Sequence, residues 1–168
     1  MNSNVISQIL KFIALVLVQV LILNHINFLG YINPYLYIIF IILYPIKNNR
    51  LVLLLLSFLL GIIIDVFSDS GGIHAAACVT IAYMRPLALK WSFGTVYEHQ
   101  TIKFNNVDFG AKLMYISILT GVHHLVLFLL EVFNFSETLL TLQKTLFSSI
   151  FTILQCVIVT IIFSKRSK

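Results

Sequence analysis

The sequence predicts an all-α fold, a polytopic membrane helical bundle of about six transmembrane helices. The chain of 168 residues is 60% hydrophobic and only 10% charged, and its mean hydropathy is +1.00. Soluble domains contain about 25% charged residues, so the composition is that of a membrane protein. Apolar runs recur from Phe12 to Phe163 with no long polar stretch between them. We therefore predict a single integral membrane domain over residues 1–168.

Six apolar runs are the candidate spans, since a helix needs about 20 residues to cross the hydrocarbon core. They are Val5 to Leu23, Pro34 to Ile46, Leu51 to Phe67, Gly71 to Leu89, Leu113 to Phe133 and Leu139 to Phe163. Helices are expected because they satisfy their own backbone in lipid, and the alternation of a membrane β-barrel is absent. Between its two prolines the second run covers about 18 Å at 1.5 Å per residue. It is predicted to be a short tilted helix, a thinned region or a re-entrant segment.

Lysine and arginine occur in alternate connections, which predicts the orientation of the chain. They flank the second connection and the fourth and follow the last span, at Lys47, Arg50, Arg85, Lys90, Lys103, Lys112, Lys165, Arg166 and Lys168. The connections at residues 24–33, 68–70 and 134–138 contain none. Basic loops stay in the cytoplasm, so six spans place both termini there, in agreement with Lys11. Five spans would place the N-terminus outside.

The net charge of +5 does not indicate nucleic-acid binding. The basic residues lie at the ends of apolar runs, where they orient the chain in the membrane lipid. Cys78 and Cys156 lie inside apolar runs without CxxC spacing, so they are expected to be small core residues.

Most of the predicted spans carry one stripe of polar side chains. Exposing such side chains to lipid is costly, so the stripes predict a bundle with a partly polar interior. The candidates for this interior are Gln19, Ser57, His124, Glu131, Lys144 and Gln155.

The stretch from the third span into the fourth contains the candidate structural or partner-contact residues. They are Gly61, Asp65, Gly71, Gly72, His74 and Arg85. Two interpretations are open for Asp65 and His74: a hydrogen-bonded pair that fixes two helices, or a proton-linked or ligand-binding pair at the outer end of the bundle. Arg85 lies about 16 Å further along the fourth helix and cannot share a site with His74.

Small residues open the fourth span. Gly71 and Gly72 each precede an alanine by four positions, which predicts a close contact with a neighbouring helix. Asp69 or Ser70 is expected to cap this helix. We expect the small face to matter more than the ionisable pair, so Gly72→Leu should be severe and Asp65→Asn mild.

The chain contains no catalytic signature. A nucleophile elbow, a phosphate loop and a CxxC knuckle are all absent from the sequence. His123 and His124 are adjacent, whereas paired metal ligands on a helix are spaced i and i+4. We predict a protein that is not an enzyme, with no catalytic residue, no metal and no cofactor.

Three stretches resemble the rod shape-determining protein MreD family. They are Gly61-x3-Asp65, Gly72-x-His74-Ala75 at the start of the next span, and Asn33-Pro34-Tyr35-Leu36 before the short second span. The resemblance covers nearly the whole chain. MreD-like proteins often carry Arg or Asp beside that first proline, where this chain has Asn33 and Tyr35.

The resemblance implies a component of the bacterial cytoplasmic (inner) membrane that helps to maintain cell shape. Family members work with MreC and MreB and help to position the elongation glycosyltransferase and transpeptidase, so a scaffold for peptidoglycan synthesis is the first hypothesis. The family is also similar in fold to the substrate-binding membrane subunits of vitamin importers. The second hypothesis is therefore a solute-binding subunit, with a cavity roofed by the loops at residues 24–33 and 68–70. The scaffold is favoured because the polar stripes are thin and the outer loops are short.

Overall fold

A computed structural model describes residues 3–26, 32–46, 48–94, 107–132 and 138–163 of the chain. The α-helices in these ranges are α1 (Ser3–Leu21), α2 (Ile39–Leu43), α3 (Arg50–Ser68), α4 (Ile73–Phe93), α5 (Phe109–Val132) and α6 (Thr138–Ile162). Two short 3-10 helices cover Leu23–His25 and Leu36–Ile38. The predicted all-α class is confirmed. The basic residues Lys47, Lys103, Lys165, Arg166 and Lys168, on which the predicted orientation partly depends, lie outside the described residues.

In the ranges that the structure describes, four helical stretches are long and apolar enough to cross a membrane. They are Val5–His25, Arg50–Ser68, Phe109–Val132 and Thr141–Ile162. The outer faces of these helices expose large apolar side chains, such as Leu10 on α1 and Leu55 on α3. A continuous apolar exterior of this length is what contact with lipid requires. The chain is therefore a helical membrane protein.

α3 and α4 form an antiparallel pair, as the polar contacts between them show. Asp65, near the end of α3, accepts a hydrogen bond from the backbone N–H of Ala75, near the start of α4. Arg50, at the start of α3, donates to the carbonyl of Tyr83, further along α4. We call the end of the bundle where α3 turns into α4, at residues 69–72, the turn end.

α5 and α6 are also antiparallel. His124 lies 3.1 Å from the hydroxyl of Thr152, whereas Glu131, further along α5, pairs with Lys144, which comes earlier in α6. α5 packs against both α4 and α6, so the last four long helices form a continuous antiparallel array.

The second predicted span crosses the bundle, but most of it is not α-helical. We call residues 32–46 the central segment. Its Tyr37 hydroxyl contacts His74 near the turn end, and its Tyr44 carbonyl contacts Arg85. Eleven positions separate His74 from Arg85, about 16 Å along α4. A re-entrant loop would return to the end where it entered, whereas this segment continues towards the start of α3.

The central segment forms the middle of the core. Tyr37, Ile38, Ile41 and Ile42 are all 0% exposed. Since only Leu36–Leu43 is helical, the flanking backbone has polar groups without partners in its own helix. At membrane depth such a backbone is tolerated only where protein surrounds it and supplies hydrogen bonds.

Side chains of α1 and α6 supply these bonds at the start of the segment. Gln19 donates through Nε2 to the carbonyl of Pro34 (2.9 Å) and accepts through Oε1 from the N–H of Tyr37 (3.4 Å). The hydroxyl of Thr152 accepts from the N–H of Tyr35 at 3.2 Å. Gln19 is 1% exposed, so its predicted interior position agrees with the structure.

Arg85 and Tyr115 supply the bonds at the other end of the segment. Arg85 donates to the carbonyls of Ile42 and Tyr44, and the Tyr115 hydroxyl donates to the carbonyl of Ile42 at 3.0 Å. A cation at the end of α2 also complements its free carbonyls. Arg85 is 4% exposed, so it is a structural residue that a partner protein cannot reach.

The close contact between α3 and α4 involves Gly61, and not Gly71 or Gly72. A Cβ on Gly61 would lie 2.3 Å from the Cα of Ala75, inside backbone that cannot move away cheaply. Gly71 and Gly72 lie in the turn with φ of +65° and +99°, and no atom lies within 4 Å of an added Cβ. The predicted small face was therefore wrong for these two glycines, whose role is conformational.

We expect Gly61→Ala to lower the stability of the bundle by about 1–3 kcal/mol, because the added methyl group forces α3 away from α4. Gly121→Ala on α5 is the matched control, because an added Cβ there meets nothing within 4 Å. The control should be neutral or slightly stabilising, since alanine favours helix over glycine. Thermal unfolding of both variants in detergent measures the difference. Equal melting temperatures would contradict this account of the contact.

We expect Arg85→Met to cost roughly 1–3 kcal/mol, because the carbonyl of Tyr44 loses its donor in a buried site. Arg50→Met is the control, because Arg50 is exposed and water can replace its bond to Tyr83. The control should change stability by less than about 0.5 kcal/mol. The amount of folded protein in membranes and the melting temperature are the measurements. If both variants behave alike, Arg85 does not support the central segment.

Candidate functional site: a cavity at the turn end

A cavity of about 660 Å³ lies at the turn end and is half open to the surroundings. Four parts of the chain enclose it: the end of α1, the start of the central segment, the end of α3 and the start of α4. The lining residues are Val20, Leu21, Asn24, His25, Asn33, Tyr35, Phe67, Ser68, Ser70 and His74.

Hydrogen bonds between side chains hold one wall of the cavity. Asn24, just beyond α1, donates through Nδ2 to the hydroxyl of Ser68 at 3.1 Å. The Oδ1 atom of Asn24 accepts from Gln19 at 2.9 Å. Because Gln19 also bonds the central segment, this chain of bonds ties α1, α3 and the central segment together at the rim.

The carboxylate of Asp65 accepts hydrogen bonds from the turn and from the start of α4. Its Oδ1 accepts from the hydroxyl of Ser70 (2.6 Å) and from the N–H of His74 (3.0 Å), and its Oδ2 accepts from the N–H of Ala75 (2.9 Å). A carboxylate at the start of a helix satisfies free N–H groups and favours the positive end of the helix dipole. Asp65 of α3 therefore caps α4.

The predicted cap of α4 was wrong. The N-cap position is Gly72, which makes no cap through a side chain. Asp69 instead ends α3 in the left-handed conformation, with φ of +51°. Ser70 contributes only indirectly, through its bond to Asp65.

The side chains of Asp65 and His74 do not pair with each other in the structure. Asp65 bonds the backbone of His74, whereas the imidazole turns inward and its Nδ1 lies 2.7 Å from the hydroxyl of Tyr37. The same hydroxyl lies 2.9 Å from Nε2 of His123. α3 and α4 are joined, but through the cap that Asp65 forms and not through a pair of side chains. A histidine–tyrosine–histidine bridge joins α4 to the central segment and α5.

His124 belongs to the bundle interior, in agreement with the prediction. Its Nδ1 lies 2.8 Å from the carbonyl of Thr120 and its Nε2 lies 3.1 Å from the hydroxyl of Thr152. The ring of Tyr35 packs edge-on against it, with 5.2 Å between the ring centroids. Tyr35 therefore lies between the cavity and His124.

The other predicted interior residues divide into two groups. Ser57 is buried and bonds the carbonyl of Leu53 within its own helix, and Gln155 has a buried Oε1 without a partner in the described residues. Glu131 and Lys144 form an ion pair at 3.2 Å, with side chains 40% and 20% exposed. This pair lies at the rim, so its predicted interior position was wrong.

The sequence analysis did not identify Tyr37, Tyr115 or His123 as site residues. They lie among apolar residues, and tyrosine occurs in membrane spans for many reasons. The sequence pattern therefore does not mark them as buried polar contacts. One signal was available: a buried tyrosine hydroxyl nearly always has a hydrogen-bond partner. Tyr37 and Tyr115, both 0% exposed, are of this kind.

The described lining residues provide hydrogen-bonding groups and aromatic surface, but no acidic or basic side chain other than histidine. Two amides, two serine hydroxyls, two imidazoles and a phenol belong to the lining, and within the described part of the chain it includes no Asp, Glu, Lys or Arg. Among the described residues, no group of three His, Cys, Asp or Glu side chains is placed to hold a metal ion.

The fold and the cavity define a polytopic helical membrane protein with a polar cavity at one end of the bundle. The chain matches no family model, no curated protein and no solved structure.

We expect Asp65→Asn to lower stability by about 1–3 kcal/mol, because the amide NH₂ would face a backbone N–H that needs an acceptor. Asp69→Asn is the matched control, because Asp69 is exposed and asparagine tolerates the left-handed conformation. This reverses the mild effect expected from the sequence. Unfolding of both variants in detergent measures it, and an Asp65→Asn variant as stable as the control would contradict the cap.

Proposed function

We propose that the chain is a non-enzymatic component of the bacterial cell-elongation machinery in the cytoplasmic membrane. It helps to maintain cell shape by scaffolding peptidoglycan synthesis. One observation supports the proposal above all: the three stretches that resemble the MreD family meet at the turn end. Asn33 and Tyr35 line the cavity there with His74, and Asp65 lies directly beneath through its bond to Ser70.

The proposed partners follow from the same resemblance. They are MreC, MreB and the elongation glycosyltransferase and transpeptidase. A scaffold needs surface that its own core does not use, and α1 offers it, because Ile9, Ile13 and Leu17 are about half exposed along one helix. A transmembrane helix of MreC is an appropriate partner for such a face. When no partner is bound, lipid covers it.

The alternation of basic connections supports an orientation for the scaffold. With both termini in the cytoplasm, the turn end faces the outside, where the wall is built. The antiparallel order of the helices agrees with this orientation, because it places the start of α1 and the end of α6 on the same side of the bundle.

The cavity supports a second candidate function, a solute-binding membrane subunit of a vitamin-type importer. Its volume of about 660 Å³ falls within the range of about 300–1,000 Å³ that is typical of small-molecule sites. Its lining includes Asn24, Asn33, Ser68 and Ser70, which belong to the two loops expected to roof such a cavity.

Depletion of the chain in its own rod-shaped host should cause rounded cells and loss of directed elongation. The physical reason is that a scaffold positions the synthases, so wall growth continues without direction when it is missing. Phase-contrast microscopy measures the length-to-width ratio during depletion, and re-expression of the wild-type chain is the control. Normal rods after complete removal would contradict the scaffold.

Affinity purification from native membranes separates the two candidates. Recovery of MreC and MreB supports the scaffold, and recovery of the energising subunits of an importer supports the solute-binding subunit. The matched bait is the Asp69→Asn variant, which should recover the same partners, because Asp69 is exposed and the substitution keeps its backbone N–H bond to the carbonyl of Asp65.

A further inference from the structure

The hydroxyl of Tyr37 lies between two imidazoles, and its single proton can serve only one of them. It is 2.7 Å from Nδ1 of His74 and 2.9 Å from Nε2 of His123. A neutral imidazole has one N–H and one acceptor nitrogen. The thiol of Cys78 also contacts this hydroxyl, but sulfur is a much weaker donor and acceptor than an imidazole nitrogen. Tyr37 therefore donates to one histidine and accepts from the other, so the three groups form a chain of bonds with a direction.

The unpartnered nitrogen of His123 decides that direction. His123 is 0% exposed, and its Nδ1 has no hydrogen-bond partner among the described residues. A buried N–H without an acceptor is rare in proteins, whereas an unused acceptor is tolerated more often. The proton of His123 thus lies on Nε2, from which it is donated to the oxygen of Tyr37. The hydroxyl of Tyr37 then donates to Nδ1 of His74.

This direction determines what His74 presents to the cavity. Since Nδ1 of His74 accepts from Tyr37, its own proton lies on Nε2. His74 lines the cavity, and Nδ1 is already engaged. Among the described residues Nε2 has no hydrogen-bond partner, so the bridge leaves this lining residue with one oriented N–H donor for a ligand. Bonds arranged in series strengthen one another, which favours this state further.

The other lining residues restrict the kind of ligand that the cavity can bind. None of the lining residues that the structure describes is Asp, Glu, Lys or Arg, so an ion would give up part of its hydration without gaining a counter-charge. The rings of Tyr35 and Phe67 provide flat apolar surface beside the donor. Amides and hydroxyls at Asn24, Ser68 and Ser70 complete a lining of neutral polar groups.

We propose that the cavity binds an uncharged, planar small molecule that accepts a hydrogen bond from Nε2–H of His74. The proposal names a ligand class for the second candidate function and rests on that function only as regards transport. Binding itself is measured on the purified chain. It is independent of the scaffold function.

The test uses the full chain labelled with ¹⁵N-histidine in lipid nanodiscs, with benzamide as the probe. Benzoate is the matched probe, which has the same ring with a charged group. In ¹⁵N NMR spectra at neutral pH, His74 should carry its proton on Nε2 before any probe is added. Benzamide should then shift this resonance saturably, and benzoate at the same concentration should not.

Two variants locate the effect. Tyr37→Phe removes the hydroxyl that orients His74, so it should weaken benzamide binding about five- to tenfold. Tyr83→Phe removes an exposed tyrosine hydroxyl elsewhere on α4 and should leave binding unchanged. Should Tyr37→Phe fail to fold, the wild-type spectra still decide the question.

Three results would overturn the proposal: a proton on Nδ1 of His74, no saturable shift with benzamide, or an equal response to benzoate. Failure of the proposed functions is seen separately, as normal cell shape after depletion or as the absence of importer subunits in the purification. Benzamide binding with normal cell shape would thus remove the scaffold and leave the cavity proposal intact.

Discussion

An irregular backbone inside a membrane must find its hydrogen bonds in neighbouring protein, and the bundle is built around that requirement. The central segment is helical only over Leu36–Leu43, yet it passes through the middle of the core. Water cannot reach its free N–H and C=O groups, and each would cost several kcal/mol in hydrocarbon. The surrounding helices therefore carry polar side chains at the levels where the segment is not helical.

This requirement accounts for several of the polar residues inside the spans. Gln19 and Thr152 serve the start of the segment, and Tyr115 and Arg85 serve its end. In the structure their hydrogen-bonding capacity is used by the backbone, so they stabilise one arrangement of helices.

The two ends of the bundle differ in what remains free. Around Arg85 the polar groups are buried and engaged with carbonyls. At the turn end, the bonds of Asp65 and Asn24 hold the helix ends in place, and neutral polar groups face a cavity of about 660 Å³. Tyr37 connects the two regions, because it belongs to the central segment and also orients His74.

The sequence by itself determined the class of the protein, the approximate positions of its long helices and the burial of Gln19, Ser57 and His124. These follow from hydropathy and helical periodicity, which depend on a residue's neighbours along the chain. It also predicted that His74 and Arg85 lie in different sites, since rise per residue sets their distance. Only the tertiary structure decided that Gly61 rather than Gly72 makes the close contact, that Asp65 caps α4, and that Tyr37 bridges His74 and His123. Periodicity tells which face of a helix is buried, but not which element lies opposite it. The partner of each side chain was set by how the helices pack around a segment too short to be a continuous span.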